Sequence, residues 1–434
     1  MRPPVFHGWR VVGACFVIAA FAWALGLFGG SVYLQAVTAH HGWPIAQVAS
    51  AITLFFLVSA AAQRAVGRGI DRWGPRPVLS AGALSITLGV ALVGQVGQPW
   101  QLFPCFVLVG LGWSALSTTA LSATVAPWFE RHQGRSMTLA IMGASVGSIA
   151  GVPLLLLALS RLGLAEGLAL AAVVAAAVLL PLIGMALRHR GPADIGLRRD
   201  GDPPEDEAGA LPAGAAATPV PAPPAAGAPG HPGAVRPLAA RGRPGWLLGS
   251  AAAGFALGLL VQIGFITHHV ALASPVLGLA GAGLLVSVTG VGAFAGRIVL
   301  ARIVDRVDVR RLAMRIMVVQ ALVMAVLAVT TAPAVLVVAS VIYGWCIGHV
   351  TTLGPIVVRR EFGAAAFGAT YGSAATAIQF VAATGPAIFG WLRDAFGGYG
   401  APLAVAAGLS ALGAVALAVG GRLGARPPLA RMPM

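Results

Sequence analysis

Long apolar runs alternate along this chain with short polar breaks. The runs cover residues 10–35, 45–66, 77–96, 100–125, 136–160 and 165–187, then 245–271, 277–300, 313–331, 334–355, 365–389 and 400–421. Each is about the 20 residues that a helix needs to cross a hydrocarbon layer of about 30 Å. The breaks are rich in Arg, Gly, Pro and His. Within lipid the backbone must satisfy its own hydrogen bonds, so the pattern predicts an all-α membrane protein with twelve transmembrane helices. The first run is too long for a signal-peptide core and leads straight into a second span, so it is expected to stay in the mature protein.

The rhythm stops between Arg188 and Gly245, where Pro, Ala, Gly and charge take over, as in Pro203-Pro-Glu-Asp-Glu207 and Pro219-Val-Pro-Ala-Pro-Pro224. Such a segment has too little apolar periodicity to pack and predicts a flexible cytoplasmic linker. The expected organisation is an N-terminal six-helix bundle over 1–187, the linker over 188–244, a C-terminal six-helix bundle over 245–421 and a cytoplasmic tail over 422–434. One short pattern occurs twice, 234 positions apart: Gly67-Arg-Gly-Ile-Asp71-Arg72-Trp-Gly74-Pro-Arg76 and Ala301-Arg-Ile-Val-Asp305-Arg306. Asp71 follows span 2 and Asp305 follows span 8, the same place in each half; Glu130 after span 4 and Glu361 after span 10 repeat more weakly. Two pseudo-symmetric bundles around a central cavity are the arrangement expected for alternating access, with a ligand near the bilayer midplane.

Composition removes the soluble classes: 58% of residues are hydrophobic, 9% are charged, and mean hydropathy is +0.87. A net charge of +15 would suit a nucleic-acid partner, but its placement argues otherwise. All 28 basic residues are Arg. With the N-terminus inside, only Arg161 and Arg393 fall outside; Arg64 and Arg297 lie within spans, and the rest sit in the N-terminal segment, the loops after even-numbered spans and the tail. That asymmetry predicts a multi-pass plasma (inner) membrane protein with both termini cytoplasmic, in contact with lipid and not with nucleic acid. Cys15, Cys105 and Cys346 lie in apolar runs without metal or disulfide spacing. No nucleophile–base pair, phosphate loop or metal cluster is present, so neither catalysis nor a cofactor is expected. The chain is read as a monomer.

Arg297 is the outstanding polar residue. It lies eight positions before Asp305, about two helical turns into span 8. Holding an Arg at mid-span costs about 2.5–3.5 kcal/mol on insertion scales, and its planar fork grips a carboxylate through two parallel bonds. Snorkelling toward the headgroups beside Arg302 is the alternative, as it is for Arg64 beside Arg68. His268 and His269, in the outer part of span 7, are the nearest groups that titrate near neutral pH. Trp23 and Tyr33 of span 1, with Tyr371 and Gln379 of span 11, are candidates for shaping a pocket. Gly67, Asp71, Arg72, Gly74, Arg76, Asp305 and Arg306 are candidates for a gate, whose carboxylates meet helix N-termini and Arg side chains when the cavity closes toward the cytoplasm. Glycines at a spacing of four, Gly143, Gly147 and Gly151 in span 5 and Gly368 and Gly372 in span 11, suggest either tight packing or an interface that slides during the cycle.

The chain resembles the major facilitator superfamily over essentially its whole length, with Asp71-Arg72-Trp73-Gly74-Pro75-Arg76 as the most specific marker. Four further segments resemble the monocarboxylate porter and oxalate/formate porter branch: Gly8-Trp9, His41-Gly42-Trp43, Trp128-Phe-Glu-Arg-His-Gln-Gly-Arg135 and Arg190-Gly-Pro-Ala-Asp-Ile-Gly-Leu197. The span 4 Arg of drug/proton antiporters is absent, with Phe106 four residues before Gly110, and so is the sugar-porter signature after span 6. Where oxalate exchangers carry a span 11 Lys after Tyr-Gly, this chain has Ile378. The resemblance implies that Arg297 binds substrate and that His268 matches a His common in the branch. It also shows departures: Ala293 stands where some porters have an Asp, and the span 1 Lys is missing. The expected function is secondary-active transport of a small organic anion, a monocarboxylate, moved with a proton. An anion exchanger or exporter without proton coupling is the alternative, and a receptor or scaffold using the linker as a docking arm is the remote one.

Overall fold

The computed structural model describes residues 6–202, 244–362 and 364–424. Positions 203–243 of the expected linker and 425–434 of the expected tail lie outside the described residues. Among those described there are helices and no strands. The N-terminal half holds α1 His7–Leu25, α2 Gly29–His41, α3 Ile45–Trp73, α4 Pro75–Val93, α5 Leu102–Ala115, α6 Thr118–Val125, α7 Gln133–Val146, α8 Val152–Leu162 and α9 Leu164–Ala186. The C-terminal half holds α10 Pro244–Ile303, α11 Val309–Val329, α12 Pro333–Phe362, α13 Ala364–Ala383, α14 Gly385–Phe396 and α15 Gly400–Gly424.

Several spans are built from two pieces. Span 1 is α1 and α2, broken at Gly26–Phe28, and span 5 is α7 and α8, joined by a π turn over Gly147–Gly151. Conversely, the 60 residues of α10 are two helices with no loop between them; as one straight helix, at about 1.5 Å per residue, they would reach about 90 Å, three times the hydrocarbon thickness. It folds back at Gly278, whose φ of 69° and ψ of 171° suit a residue without Cβ. Its two limbs are spans 7 and 8, so the chain crosses twelve times.

The halves repeat one packing plan. In the first, α1 packs on α7, α3 on α5 and α4 on α9; in the second, the first limb of α10 packs on span 11 through α14, its second limb on α12, and α11 on α15. These are spans 1–5, 2–4 and 3–6 against 7–11, 8–10 and 9–12: two pseudo-symmetric six-helix bundles. The glycine stripe of span 5 belongs to this internal packing. Side chains at Gly143, Gly147 and Gly151 would collide with Phe16, Ala20 and Ala24 of α1, so the stripe seals two helices of one bundle rather than forming a sliding interface.

One end of the molecule is Arg-rich. There the first part of the expected linker is folded rather than loose: residues 188–202 lie against the α6–α7 connection. Asp200, at a φ of 63° that Asp tolerates better than most residues, accepts hydrogen bonds from the Glu130, Arg131 and His132 amides and faces the His132 ring at 3.1 Å. Arg131 forks onto Asp202 at 2.6 and 2.7 Å. Burial pushes the Asp200 carboxyl up, but the three amides and the imidazole outweigh it and hold it at about 2. A lowered pKa means that Asp200 contributes docking free energy above its ordinary value, a contribution lost as pH falls toward about 2. Asp200→Ala is expected to release this segment, raising hydrogen exchange of the Glu130, Arg131 and His132 amides about tenfold or more at neutral pH. Unchanged protection would show that the carboxylate does not hold it.

Candidate functional site: the seam between the bundles

The bundles meet along three lines: α2 against α10, α3 against α13 and α14, and α8 with the π turn against the second limb of α10. The hydrogen bonds that cross the seam lie mostly toward the face opposite the Arg-rich end. Asp394 accepts from the Ala46 amide at 2.7 Å, Thr53 Oγ1 from the Ala387 amide at 3.0 Å, and Ser287 donates to the Ile149 carbonyl at 2.6 Å.

Each uses a backbone group that a helix cannot satisfy itself. Ala46 and Ala387 sit in the first turns of α3 and α14, where amides have no carbonyl four residues back. Ile149 precedes Pro153 by four, and proline has no N–H to offer it in the α-helical register.

Arg297 lies on the second limb of α10, farther toward the Arg-rich end. The α12 backbone closes against Ala293 and Arg297, leaving no room on that side. The half-buried side chain reaches across the seam instead, with Nη1 3.5 Å from Ser145 Oγ of α7. Among the described residues it has no ion-pair partner. A guanidinium thus stands between the bundles with one distant hydroxyl and no counter-charge.

Two of the other expected pocket residues, His268 and Tyr33, have hydrogen-bond partners within their own bundles. His268 is buried: its Nε2 donates to the Pro386 carbonyl at 3.0 Å, and its Nδ1 accepts from the Tyr399 hydroxyl at 3.1 Å. A carbonyl can only accept, which fixes the tautomer. With both nitrogens engaged, His268 ties α10 to α14 and to Tyr399 just before α15. Tyr33 is fully buried and donates to the Leu25 carbonyl at 2.7 Å, bridging the α1–α2 break. Tyr371 and Gln379 are half-buried on α13, which packs on α3.

The repeated motif residues lie on the Arg-rich face. Gly74 has a φ of 86°, and the Arg190 side chain occupies the space a Cβ would need while donating to the Trp73 carbonyl at 3.0 Å. Asp71, Arg72 and Arg76 are exposed, and Arg72 lies over the Trp73 ring at 5.8 Å. Gly67 has open space around it. Asp305 pairs with Arg360 of its own bundle at 2.8 Å, and Arg306 is exposed. No motif residue pairs across the seam among the described residues. Sequence reading missed Asp394, Thr53, Ser287 and Ser145; the nearby Pro44, Pro386 and Pro153 were the available signal, because they mark where backbone groups fall free.

The Major Facilitator Superfamily profile matches residues 12–281, and that of the uncharacterised MFS-type transporter YbfB matches 214–418. Human monocarboxylate transporter 11 is 28% identical over 199 residues, 45% of this chain and 40% of that protein. The oxalate:formate antiporter of Oxalobacter formigenes is 26% identical, covering 30% of each chain. Multidrug resistance protein MdtH of Shigella dysenteriae is 32% identical over 110 residues, 25% of this chain and 27% of that one. The matched stretches therefore span well under two thirds of these relatives. The nucleoside transporter NupG shares the fold, with a TM-score of 0.70 over 96% of this chain and 99% of that one at 14% identity. By its profile match and its fold, this chain belongs to the Major Facilitator Superfamily.

Proposed function

We propose that the protein is a secondary-active transporter of a small organic monoanion, a short monocarboxylate, working by alternating access across the plasma (inner) membrane with its Arg-rich face in the cytoplasm. The observation that carries this reading is Arg297, a cation in the seam without a counter-charge among the described residues. An unpaired charge away from water is costly, and a carboxylate of the ligand supplies what the protein withholds. Monocarboxylate transporter 11 and the oxalate:formate antiporter are relatives with anionic substrates in their names, which supports the same class. Absence of a second cation at Ile378 favours a single negative charge.

Purified protein is expected to melt several degrees higher with short monocarboxylates and not with their amides, in a thermal-shift series at two pH values. Stabilisation by the amides and not the acids would sink the proposal. The second reading is exchange without protons. It is favoured by Ala293, which leaves no acid beside Arg297 to carry one; uptake stimulated by internal anion and indifferent to a proton gradient would select it.

A further inference from the structure

The inner half of α3 carries a second cation on its seam side. Three contacts fix which side that is: the Ala46 amide donates to Asp394, Gly390 of α14 packs on Ala49, and Thr53 accepts from the Ala387 amide. α3 runs unbroken from Ile45 to Trp73, and Arg64 stands 18 residues beyond Ala46, about five turns of 3.6 residues, so it leaves the helix in the same direction. The opposite side is taken up within its own bundle, where Gly110 of α5 closes on Phe55 and Val58, and Gly69 on Val78 of α4. Ala49 and Thr53 are buried, whereas Ala61, Arg64 and Arg68 are exposed. The seam thus parts toward the Arg-rich end, and Arg64 stands in the opening. Its side chain has no hydrogen bond or ion pair among the described residues.

Pseudo-symmetry relates this residue to Arg297. Arg64 precedes Asp71 by seven positions and Arg297 precedes Asp305 by eight, so the two guanidiniums start from nearly the same depth on corresponding spans, 2 and 8. Span 8 meets the facing bundle at Gly290, which closes on Ser148 about two turns before Arg297. Span 2 meets it along α13 and α14. The two cations therefore lie on separate lines of the seam, one on each bundle.

We propose that Arg64 is a positioning residue of the transport path, a second cation whose field draws the anion into the opening on the Arg-rich side and toward Arg297. The assignment rests on the anion reading of Arg297. A cleft with low-dielectric walls focuses the field of a charge that lines it and raises the local concentration of counter-ions. At the depth of Arg297, the same field also favours the bound anion without touching it. Snorkelling to headgroups would account for the exposure of Arg64, but not for a direction shared with three contacts to the other bundle.

Labelling tests the placement without substrate. Arg64 lies nine residues before the end of α3 and Leu84 nine after the start of α4, so the two share a depth, and Leu84 is exposed on the wall of its bundle. Cys15, Cys105 and Cys346 are buried and give little background. A membrane-impermeant cationic thiosulfonate added from the Arg-rich side should label Arg64→Cys about tenfold or more faster than Leu84→Cys, because the thiolate that reacts forms only where water reaches it. Calorimetry in nanodiscs of zwitterionic lipid then tests the field, using the monocarboxylate that stabilises the native protein most in the thermal-shift series. Arg64→Gln should weaken its binding about fivefold at about 10 mM salt, where the screening length is about 30 Å, and less than twofold at about 1 M, where it is about 3 Å. Arg64→Lys keeps the charge and should restore most of the low-salt affinity. Equal labelling rates for the two cysteines, an unchanged low-salt affinity in Arg64→Gln, or a loss that persists at high salt overturns the proposal. With the native protein still binding the monocarboxylate, each of these results leaves the anion reading of Arg297 standing; a native protein that binds none removes both.

Discussion

Arg297→Ala is expected to abolish carboxylate transport in proteoliposomes and to lower carboxylate affinity about 100-fold or more, while the ligand-free protein should melt at an equal or higher temperature. The two halves of this result come from one cause. Hydrogen bonds to a charged group contribute about 1.5–3 kcal/mol each, and a bidentate pair makes two, so their loss exceeds the 2.7 kcal/mol or so that a 100-fold change represents. In the absence of ligand the same guanidinium is a liability, held in the seam 3.5 Å from a single hydroxyl. Removing an uncompensated charge from such a place relieves strain that binding alone offsets, the usual opposition between stability and function at a site. Arg297→Lys keeps the charge and loses the planar fork, so its affinity should fall between the two, about tenfold below the native protein. A snorkelling Arg would behave otherwise: its truncation would leave affinity untouched. Native transport by Arg297→Ala would remove the reading altogether.

The spans were legible because lipid leaves the backbone so few choices: an apolar run of the right length has to be a helix, and two such runs without a polar break still have to fold back, as α10 does at Gly278. Arg297 draws notice for a related reason, since one charge in an apolar run stands out. What the sequence concealed was direction. His268 and Tyr33 are polar residues in apolar spans, just as Arg297 is, yet each finds a carbonyl within its own bundle and is thereby satisfied. Whether a polar group in a span meets a helix or a ligand depends on which backbone carbonyls the neighbouring helices leave free, and that follows from breaks at Gly26–Phe28 and before α14 that hydropathy does not reveal. The seam contacts were hidden for the converse reason. Thr53, Ser287 and Asp394 are ordinary residues whose meaning lies in amides and carbonyls on the facing bundle. The folded start of the linker escaped notice because its composition is that of a loose segment, and a few specific bonds to the Glu130–His132 amides hold it.

Glu361→Ala is expected to destabilise the C-terminal bundle by about 3–5 kcal/mol, the usual cost of stripping one partner from a buried ion pair. Arg310 and Glu361 expose 8% of their side chains each, and Arg310 Nη1 lies 2.8 Å from both carboxylate oxygens. The guanidinium also donates through Nε to the Leu417 carbonyl at 2.8 Å and through Nη2 to the Ser250 hydroxyl. One side chain on α11 thus ties together α10, α12 and α15. Removing the carboxylate leaves a buried cation with only neutral acceptors, whereas removing both charges leaves none. The Arg310→Met, Glu361→Leu double variant should therefore recover most of the loss, because well-packed apolar groups often replace a buried pair at little cost. Unfolding half-life at fixed temperature is the suitable measure, since membrane proteins of this size seldom refold after melting. If the double variant decays as fast as Glu361→Ala, the Arg310 bonds to Leu417 and Ser250 matter more than the charge pair, and the four-helix tie is a hydrogen-bond network in which Glu361 is replaceable. If Glu361→Ala itself decays no faster than the native chain, the carboxylate contributes nothing, and the second half of the motif is held by the Asp305–Arg360 pair and by the Asp308 side chain, which accepts from the Arg310 and Arg311 amides at 3.0 Å.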